Sequence, residues 1–336
     1  MTNYEQATSA IRAPLPSEPS LRDLVRFATL APNSHNTQPW KFRLTEDAID
    51  IFPDFLRRTP AVDPDDHHIF VTLGCAAENL LIAANASGRP AKISVETGEP
   101  HAHIRVSLGR GKSNEKELCS AIPARQSTRS DYDGNGVGAE ELAKLAHSAL
   151  MPGVQALFLT ERSKLEAVLE FIIQGNSAQV DDASFVRELK SWIRFNAESA
   201  IETGDGLFAK CFGNPALPTW AGSFMFDRVF TKEAENKKIT RQMRSSAGVV
   251  VFVAETNTPE GWIQVGRSFE RFALQATVLG IRHAHMNMPI EVAALRPMFA
   301  DWLGMPGQRP NLVIRFGRAP PMPMSVRRPL DHVIVV

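Results

Sequence analysis

Two long stretches of the chain have a helical pattern of apolar residues that ends at a glycine, and the first of them is apolar on nearly every helical face. The first covers residues 70–87, just before Gly88, and the second covers residues 265–279, just before Gly280. Apolar residues all round a helix are typical of a buried helix, and a glycine directly after the last turn is a common C-terminal cap. We therefore predict two helices in the centre of the core.

The two predicted core helices also match each other in sequence. An offset of 192 positions pairs Gly74 with Gly266 and Glu78 with Glu270, and apolar residues face each other elsewhere. Because the identities are few, chance similarity between two amphipathic helices is the alternative. We favour an internal repeat.

A second match supports the repeat. At an offset of 118 positions, residues 24–31 align with residues 142–149, so the helices follow the same order in both halves. We therefore predict a duplicated α+β unit, with one repeat at 1–118 and the other at 119–336. The offset of the core-helix match, 192 positions, exceeds the offset of this second match, 118 positions. We therefore place an insertion between the two matched helices of the second repeat, at about residues 165–235.

Shorter patterns complete the predicted elements. Apolar residues at helical spacing from Leu21 predict a helix that ends before Pro32, because the residue before a proline disfavours helical backbone angles. Residues 1–20 contain three prolines and little apolar periodicity, so we predict an extended arm there. We also predict a short helix near 295–303 and strands at 40–42, 49–52, 248–254, 311–316 and 333–336.

Composition narrows the class of protein. The 336 residues include 37 Lys or Arg and 37 Asp or Glu, so the net charge is zero, and 43% of the residues are hydrophobic. Balanced charge without basic runs disfavours nucleic-acid binding, and the longest apolar runs are of strand length, too short to span a membrane. The N-terminus lacks the apolar region of an export signal. We therefore expect a globular, cytoplasmic protein.

The cysteine and histidine patterns predict no metal site. Cys75, Cys119 and Cys211 are odd in number and widely spaced, which fits neither a disulfide framework nor a zinc motif. The closely spaced histidine pairs are His67 with His68, His101 with His103, and His283 with His285. None of these pairs has a neighbouring cysteine or a further ligand four residues away on a helix, as a zinc site would require.

One loop has an unusual density of polar groups. Pro32 and Pro39 bracket a run of hydrogen-bonding side chains, and Trp40-Lys41-Phe42 follows as the start of a strand. A turn bounded by prolines is stiff, so its polar groups are held ready for a ligand. An ordinary polar loop after a helix is the alternative.

A second polar cluster suits a phosphate group. Arg125, Ser127 and Arg129 place two guanidinium groups and a hydroxyl at alternate positions. Two permanently charged, bidentate donors with a short donor between them match a phosphate monoester. A solvated basic loop is the alternative.

Together these elements resemble the nitroreductase family. The loop from Ala31 to Phe42 is similar to that family's Ala-Pro-Ser-x-x-Asn-x-Gln-Pro-Trp-x-Phe signature, with Asn33 in place of the usual serine. The resemblance implies that FMN is the cofactor and that the loop contacts it through Pro32, Asn33, Ser34, Asn36 and Gln38. It also implies that Arg125 and Ser127 bind the FMN phosphate, whereas Arg129 faces N1 and O2 of the flavin.

Two later segments extend the resemblance. Ser325 to Leu330 is similar to the basic closing stretch of many nitroreductases, which returns to the FMN phosphate, although Ser325 replaces the first basic residue and only Arg327 keeps its charge. Asn287 and Met288 fall where the family has a backbone N–H directed at flavin N5. No side-chain motif marks that position.

The order of the motifs is the reverse of that in an ordinary nitroreductase chain. The loop lies in the first half, and the Arg125 element opens the second half. This arrangement resembles the double-domain, Acg-like nitroreductases, so we expect a nitroreductase-like α+β fold of two fused repeats. A fused homodimer would keep one complete FMN site and one lost site. We expect a monomer with a pseudo-dimeric core.

The resemblance further implies that the insertion forms a lid over the flavin. The aromatic residues of the insertion would contact the flavin, and the alternative is that they pack in an ordinary hydrophobic core. These residues are Trp192, Phe195, Phe208, Phe212, Trp220, Phe224 and Phe226.

Two main functions remain open at this point. In the first, a nicotinamide donor, NAD(P)H, passes electrons through FMN to a small aromatic acceptor such as a nitroaromatic or a quinone, and the flavin carries the chemistry. In the second, the lid occludes the flavin and the protein binds or stores FMN with little turnover. A regulatory partner protein with an empty pocket is a weaker third reading.

Overall fold

The computed structural model describes residues 2–97, 102–111, 113 and 115–335. The helices in this part of the chain are α1 (Asn3–Ile11), α2 (Leu21–Ala28), α3 (His67–Ala86), α4 (Lys116–Ala121), α5 (Ala139–Ser148), α6 (Arg162–Asp181), α7 (Ala183–Trp192), α8 (Ala197–Thr203), α9 (Thr219–Val229), α10 (Lys232–Arg244), α11 (Pro259–Val278), α12 (Met288–Glu291) and α13 (Arg296–Trp302). The strands are β1 (Trp40–Leu44), β2 (Ala48–Pro53), β3 (Ala91–Glu96), β4 (His103–Leu108), β5 (Val154–Leu159), β6 (Ile193–Arg194), β7 (Leu207–Phe208), β8 (Gly248–Ala254), β9 (Arg282–His285), β10 (Pro310–Gly317) and β11 (Ile334–Val335).

The two main sheets have the same topology. The first sheet has the order β11-β1-β2-β4-β3 and the second has the order β5-β8-β10-β9. Setting β11 aside, each sheet places its strands in the order first, second, fourth and third along the chain. In each half a long helix, α3 or α11, connects the second strand to the third. The C-terminal strand β11 pairs in parallel with β1 and forms one edge of the first sheet.

The two predicted core helices, α3 and α11, cross at a pair of glycines. A Cβ atom added to Gly74 would lie 2.1 Å from the carbonyl oxygen of Ile263, and one added to Gly266 would lie 1.9 Å from that of Val71. Only glycine permits such close contact between two backbones. By length and hydropathy α3 could cross a membrane, but most of it is buried inside the protein. Both helices are therefore central core helices.

The second sheet is covered on both faces. In β8, Val250 and Phe252 pack into the main core with α3 and α11, whereas Val249 and Val251 pack into a second cluster with α6 and α10. Successive residues of a strand point to opposite faces, so burial of both faces requires the continuous apolar run at 248–254.

The inserted helices lie between the first and second strands of the second sheet. They run from α6 to α10, residues 162–244, which is wider than the predicted 165–235. In the first half, the corresponding strands β1 and β2 are joined only by residues 45–47. We refer to residues 162–244 as the α6–α10 segment.

The prediction of an extended arm over residues 1–20 is wrong. Residues 3–11 form α1, which begins with a capping box in which Thr2 and Glu5 bond each other's backbone N–H groups. The three prolines lie at positions 14, 16 and 19, so they follow the helix rather than interrupt it. Two further predictions lie partly outside the described residues, because His101 and Val336 are not among them.

Candidate functional site

The loop after α2 has a strained backbone. His35, Asn36 and Gln38 have φ angles of 48°, 55° and 55°, in the left-handed region that residues other than glycine rarely adopt. Each such residue costs of order 1–3 kcal/mol and persists only where its surroundings hold it in place. The strain is concentrated in the segment that the sequence predicts to bind a ligand.

Buried side-chain amides hold this loop in place. The Gln38 amide donates to the carbonyl oxygen of Gly204 at 2.8 Å and accepts from the backbone N–H of Arg328 at 2.9 Å. The Asn36 amide donates to the carbonyl oxygen of Gly206 at 3.1 Å and accepts from Arg327 at 3.0 Å. The two amides therefore tie the loop to the α6–α10 segment and to the C-terminal tail.

These three parts of the chain, together with Arg12 at the end of α1 and residues 125–129, enclose a small cavity of about 50 Å³, which we call the arginine cavity. Its lining includes eight of the predicted site residues together with Arg12, which was not predicted. The eight are Pro32, Asn33, Asn36, Arg125, Ser127, Arg129, Ser325 and Arg327.

The arginine cavity has an excess of positive charge. Among the described residues, no carboxylate lies within ion-pair distance of Arg12, Arg129 or Arg327, and Arg125 has one such contact, at 3.5 Å from buried Glu270. Burial, together with repulsion from Arg125, lowers the pKa of Arg12 to about 10. Crowded and partly desolvated cations without a counter-charge suit a ligand with more than one negative charge, such as a phosphate monoester.

The four arginines differ in the donors that they leave free. Arg327 donates to three carbonyl oxygens at the C-terminal end of α2 and to Asn36, so its guanidinium is already saturated. The side chain of Arg12 has one hydrogen bond, to the carbonyl oxygen of Thr8. That of Arg129 has none to the described chain. Arg12 and Arg129 therefore offer most of the free donors.

A second cavity, of about 150 Å³, adjoins the first across Pro32, Asn33 and Arg129, and we call it the histidine cavity. Burial is the main reason that the pKa of His35 falls to about 4 and that of His285 to about 3, and Arg129 adds to both shifts. The imidazoles are therefore neutral near pH 7, and the cavity suits a flat, uncharged ring. Its lining also includes His68, Ser34, Cys75, Phe269, Asn287 and Glu291.

A third cavity, of about 220 Å³, lies between the histidine cavity and the α6–α10 segment, and we call it the outer cavity. Its lining includes Met288 and Glu291 of α12 and Leu189, Phe212 and Phe230 of the segment. Arg129 lines all three cavities. Its guanidinium lies over the ring of Phe212, with 4.5 Å between the carbon of the cation and the ring centroid.

Eleven of the twelve predicted site residues line these three cavities. The exception is Gln38, which is fully buried and acts as the clamp described above. Of the seven aromatic residues predicted for the lid, only Phe212 lines one of the three cavities. Trp220 and Phe224 are instead mostly exposed to solvent.

The three potential metal ligands that cluster in the described chain are Asp63, His67 and His68. Asp63 accepts the backbone N–H of His68 at 2.9 Å, and a ring nitrogen of His67 lies 3.0 Å from the side-chain nitrogen of Asn311. These groups already have partners within the protein. We assign no metal to them.

In the first half of the chain, the glutamate that aligns with Glu270 is paired with arginines. Glu78, which aligns with Glu270, lies in a wide groove of about 1250 Å³. Its carboxylate pairs with Arg267 at 2.8 Å and with Arg271 at 2.7 Å, and Arg271 also pairs with Glu115 at 2.8 Å. Both arginines that line this groove among the described residues are therefore paired, unlike Arg12 and Arg129 of the first site.

Fold and site together define a class of α+β protein in which buried arginines line one cavity, and histidine and phenylalanine rings line a cavity that adjoins it. No family model matches the chain. Two proteins of Mycobacterium tuberculosis strain H37Rv that are named as NAD(P)H nitroreductases are similar to it. The first is 25% identical over 97% of this chain and 94% of its own length. The second, named acg, is 23% identical over 94% of this chain and 95% of its own length. The similarity to Acg-like nitroreductases that the motifs predict is thereby confirmed.

The chain is similar to a nitroreductase from Anabaena variabilis, with a TM-score of 0.49 and 11% identity over 94% of this chain and 91% of that one. It is also similar to a nitroreductase with bound FMN from Bacteroides fragilis, with a TM-score of 0.38 and 18% identity over 61% and 89%.

Proposed function

We propose that the chain is an FMN-dependent oxidoreductase that holds the phosphate in the arginine cavity and the flavin ring in the histidine cavity. One observation carries the proposal. Arg12, Arg125, Arg129 and Arg327 converge on one cavity, with a single carboxylate contact among them in the described part of the chain. That cavity adjoins one whose lining includes the neutral imidazoles of His35 and His285. FMN has this combination of a dianionic phosphate and a flat, hydrogen-bonding ring.

Each part of the site has a separate task in this proposal. Arg12 and Arg125 bind the phosphate, with Ser127 and Ser325 as short donors. Arg327 adds charge and fixes the end of α2. Arg129, where the cavities meet, places a permanent positive charge beside the ring.

Bound FMN would supply two-electron chemistry between a nicotinamide donor and an acceptor. The chain would bind that acceptor in the outer cavity, where the α6–α10 segment acts as a lid that excludes water. The nitroreductase names of the relatives support NAD(P)H as the donor, and a nitroaromatic or quinone fits the size and aromatic walls of the outer cavity.

The proposal includes the domain organisation. A fusion of two repeats, 1–118 and 119–336, accounts for the shared strand order and for the neutralised groove at Glu78. Such a chain would be a monomer with a pseudo-dimeric core and one FMN site, and we place it in the cytoplasm.

Storage of FMN without turnover is a second candidate, because Phe212 of the lid lies directly over Arg129 inside the site. Anaerobic mixing with NADH or NADPH in a stopped-flow spectrometer separates the two. Rapid loss of the visible flavin absorbance with either donor is the result expected for an oxidoreductase. Absorbance that persists with both donors, while dithionite bleaches it, would contradict turnover and leave storage.

A further inference from the structure

A fourth cavity, of about 250 Å³, lies inside the α6–α10 segment, and we call it the apolar cavity. Most of its lining is aliphatic or aromatic, with Ile193, Phe195, Leu217, Met225 and Phe226 among the lining residues. A cavity of this size and composition resembles a small-molecule site rather than a packing defect. The proposed function does not use it.

The apolar cavity and the outer cavity share a wall. The shared residues are Leu189, Phe212, Phe230, Glu235 and Lys238. Glu235 and Lys238 form an ion pair of 3.7 Å, with both side chains partly buried. The two cavities therefore lie side by side, and the side chains between them are one ion pair and three apolar residues.

The outside of the same segment is also apolar. Helix α9 exposes Trp220, Phe224, Met225 and Val229, with 77% of Trp220 and 44% of Met225 accessible to solvent. Met225 and Val229 also line the apolar cavity, so the exposed patch is continuous with the cavity wall. Clustered exposed apolar residues mark sites where apolar ligands or surfaces bind.

We propose that the acceptor is an aromatic molecule with an apolar side chain, such as an alkylated naphthoquinone. Its ring lies in the outer cavity, and its side chain lies in the apolar cavity. The position of the ring rests on the proposed function, whereas the position of the side chain rests on the apolar cavity itself. Each buried methylene group should tighten binding by up to about fourfold until the cavity is filled.

Calorimetric titration of the purified protein tests this proposal without turnover. The ligands are menadione and its butyl and octyl derivatives, which differ only in the side chain. We expect Kd to fall by at least about tenfold from menadione to the octyl derivative.

The variant Met225→Trp should fill the cavity mouth and remove this dependence on chain length while leaving the affinity for menadione unchanged. Met298→Trp is the matched control, because Met298 is a similarly exposed helical methionine outside the segment. Leu217→Trp, deeper in the same wall, replaces Met225→Trp if thermal unfolding shows that the first variant is not folded.

Three results separate this inference from the proposed function. Equal Kd values for the three ligands, or a dependence on chain length that survives the filling variant, would overturn the inference. A dependence on chain length that the filling variant removes, in a protein whose flavin no donor bleaches, would support the side-chain site in the apolar cavity. It would contradict the oxidoreductase proposal and, with it, the role of the ligand as an electron acceptor.

Discussion

The removal of Arg12 should weaken the binding of FMN through its phosphate alone. Arg12 has a single hydrogen bond to the chain and no carboxylate partner among the described residues, so its remaining donors are free to bind an anion. A hydrogen bond to a charged group contributes about 1.5–3 kcal/mol, which corresponds to a Kd for FMN that is about 10–150 times higher in Arg12→Ala. The cation crowding described above argues for the upper half of this range.

The assay compares two flavins that differ only in the phosphate. Apoprotein is titrated with FMN and with riboflavin, and binding is followed by the quenching of flavin fluorescence. Arg12→Ala should weaken FMN binding and leave riboflavin binding unchanged, and added salt should shrink the difference. Arg22→Ala is the control, because Arg22 is half exposed and pairs with Asp331 away from the cavity. The reasoning is refuted if both flavins weaken equally or if neither does.

Three further predictions concern the scaffold, and urea unfolding checks each. Gln38→Ala leaves buried backbone groups of the loop clamp unpaired and should lower the free energy of unfolding by about 1–3 kcal/mol, whereas an unchanged value would exclude the clamp. Burial raises the pKa of Glu270 to about 7. Between about pH 5 and 7 the folded chain therefore keeps a proton that the unfolded chain loses, and the free energy of unfolding falls as the pH rises. Glu270→Gln should remove that fall, and parallel pH profiles of variant and parent would contradict it. Gly266→Ala forces a Cβ atom against the Val71 carbonyl and should lower the free energy of unfolding by about 3 kcal/mol. In the control Gly136→Ala the added Cβ meets nothing within 4 Å, so the free energy of unfolding should change little. Equal decreases in the two variants would refute the argument that α3 and α11 cross at glycines.

Local patterns predicted the central helices and singled out eleven residues that line the three cavities. The motif residues lie in contiguous runs, so the signature from Pro32 to Pro39 and the alternate placement of Arg125, Ser127 and Arg129 are visible without knowledge of the fold. The continuous apolar run at 248–254 also predicted its strand, because both faces of that strand are buried. In these cases the physical cause of the structure lies within a few residues of sequence.

The parts that were missed depend on contacts between distant residues. Arg12 reaches the cavity only because α1 packs on the α6–α10 segment and the tail, where the Tyr4 hydroxyl donates to the carbonyl oxygen of Met324 at 2.8 Å. Gln38 looked like a ligand contact, but its amide bonds Gly204 and Arg328, which lie 166 and 290 positions away. No local pattern contains that information. The capping box of Thr2 and Glu5 was the one signal that could have predicted α1.

The central claim is that one half-site from each half of the chain forms a single FMN site. The direct measurement is the flavin released from the purified protein by denaturation, identified by mass and quantified by absorbance against protein concentration. The account predicts FMN at about one molecule per chain, because both arginines that line the groove at Glu78 in the described chain are paired with carboxylates and are not free to bind a second phosphate. Two molecules per chain, flavin released chiefly as FAD, or a protein that takes up no FMN on reconstitution would contradict it.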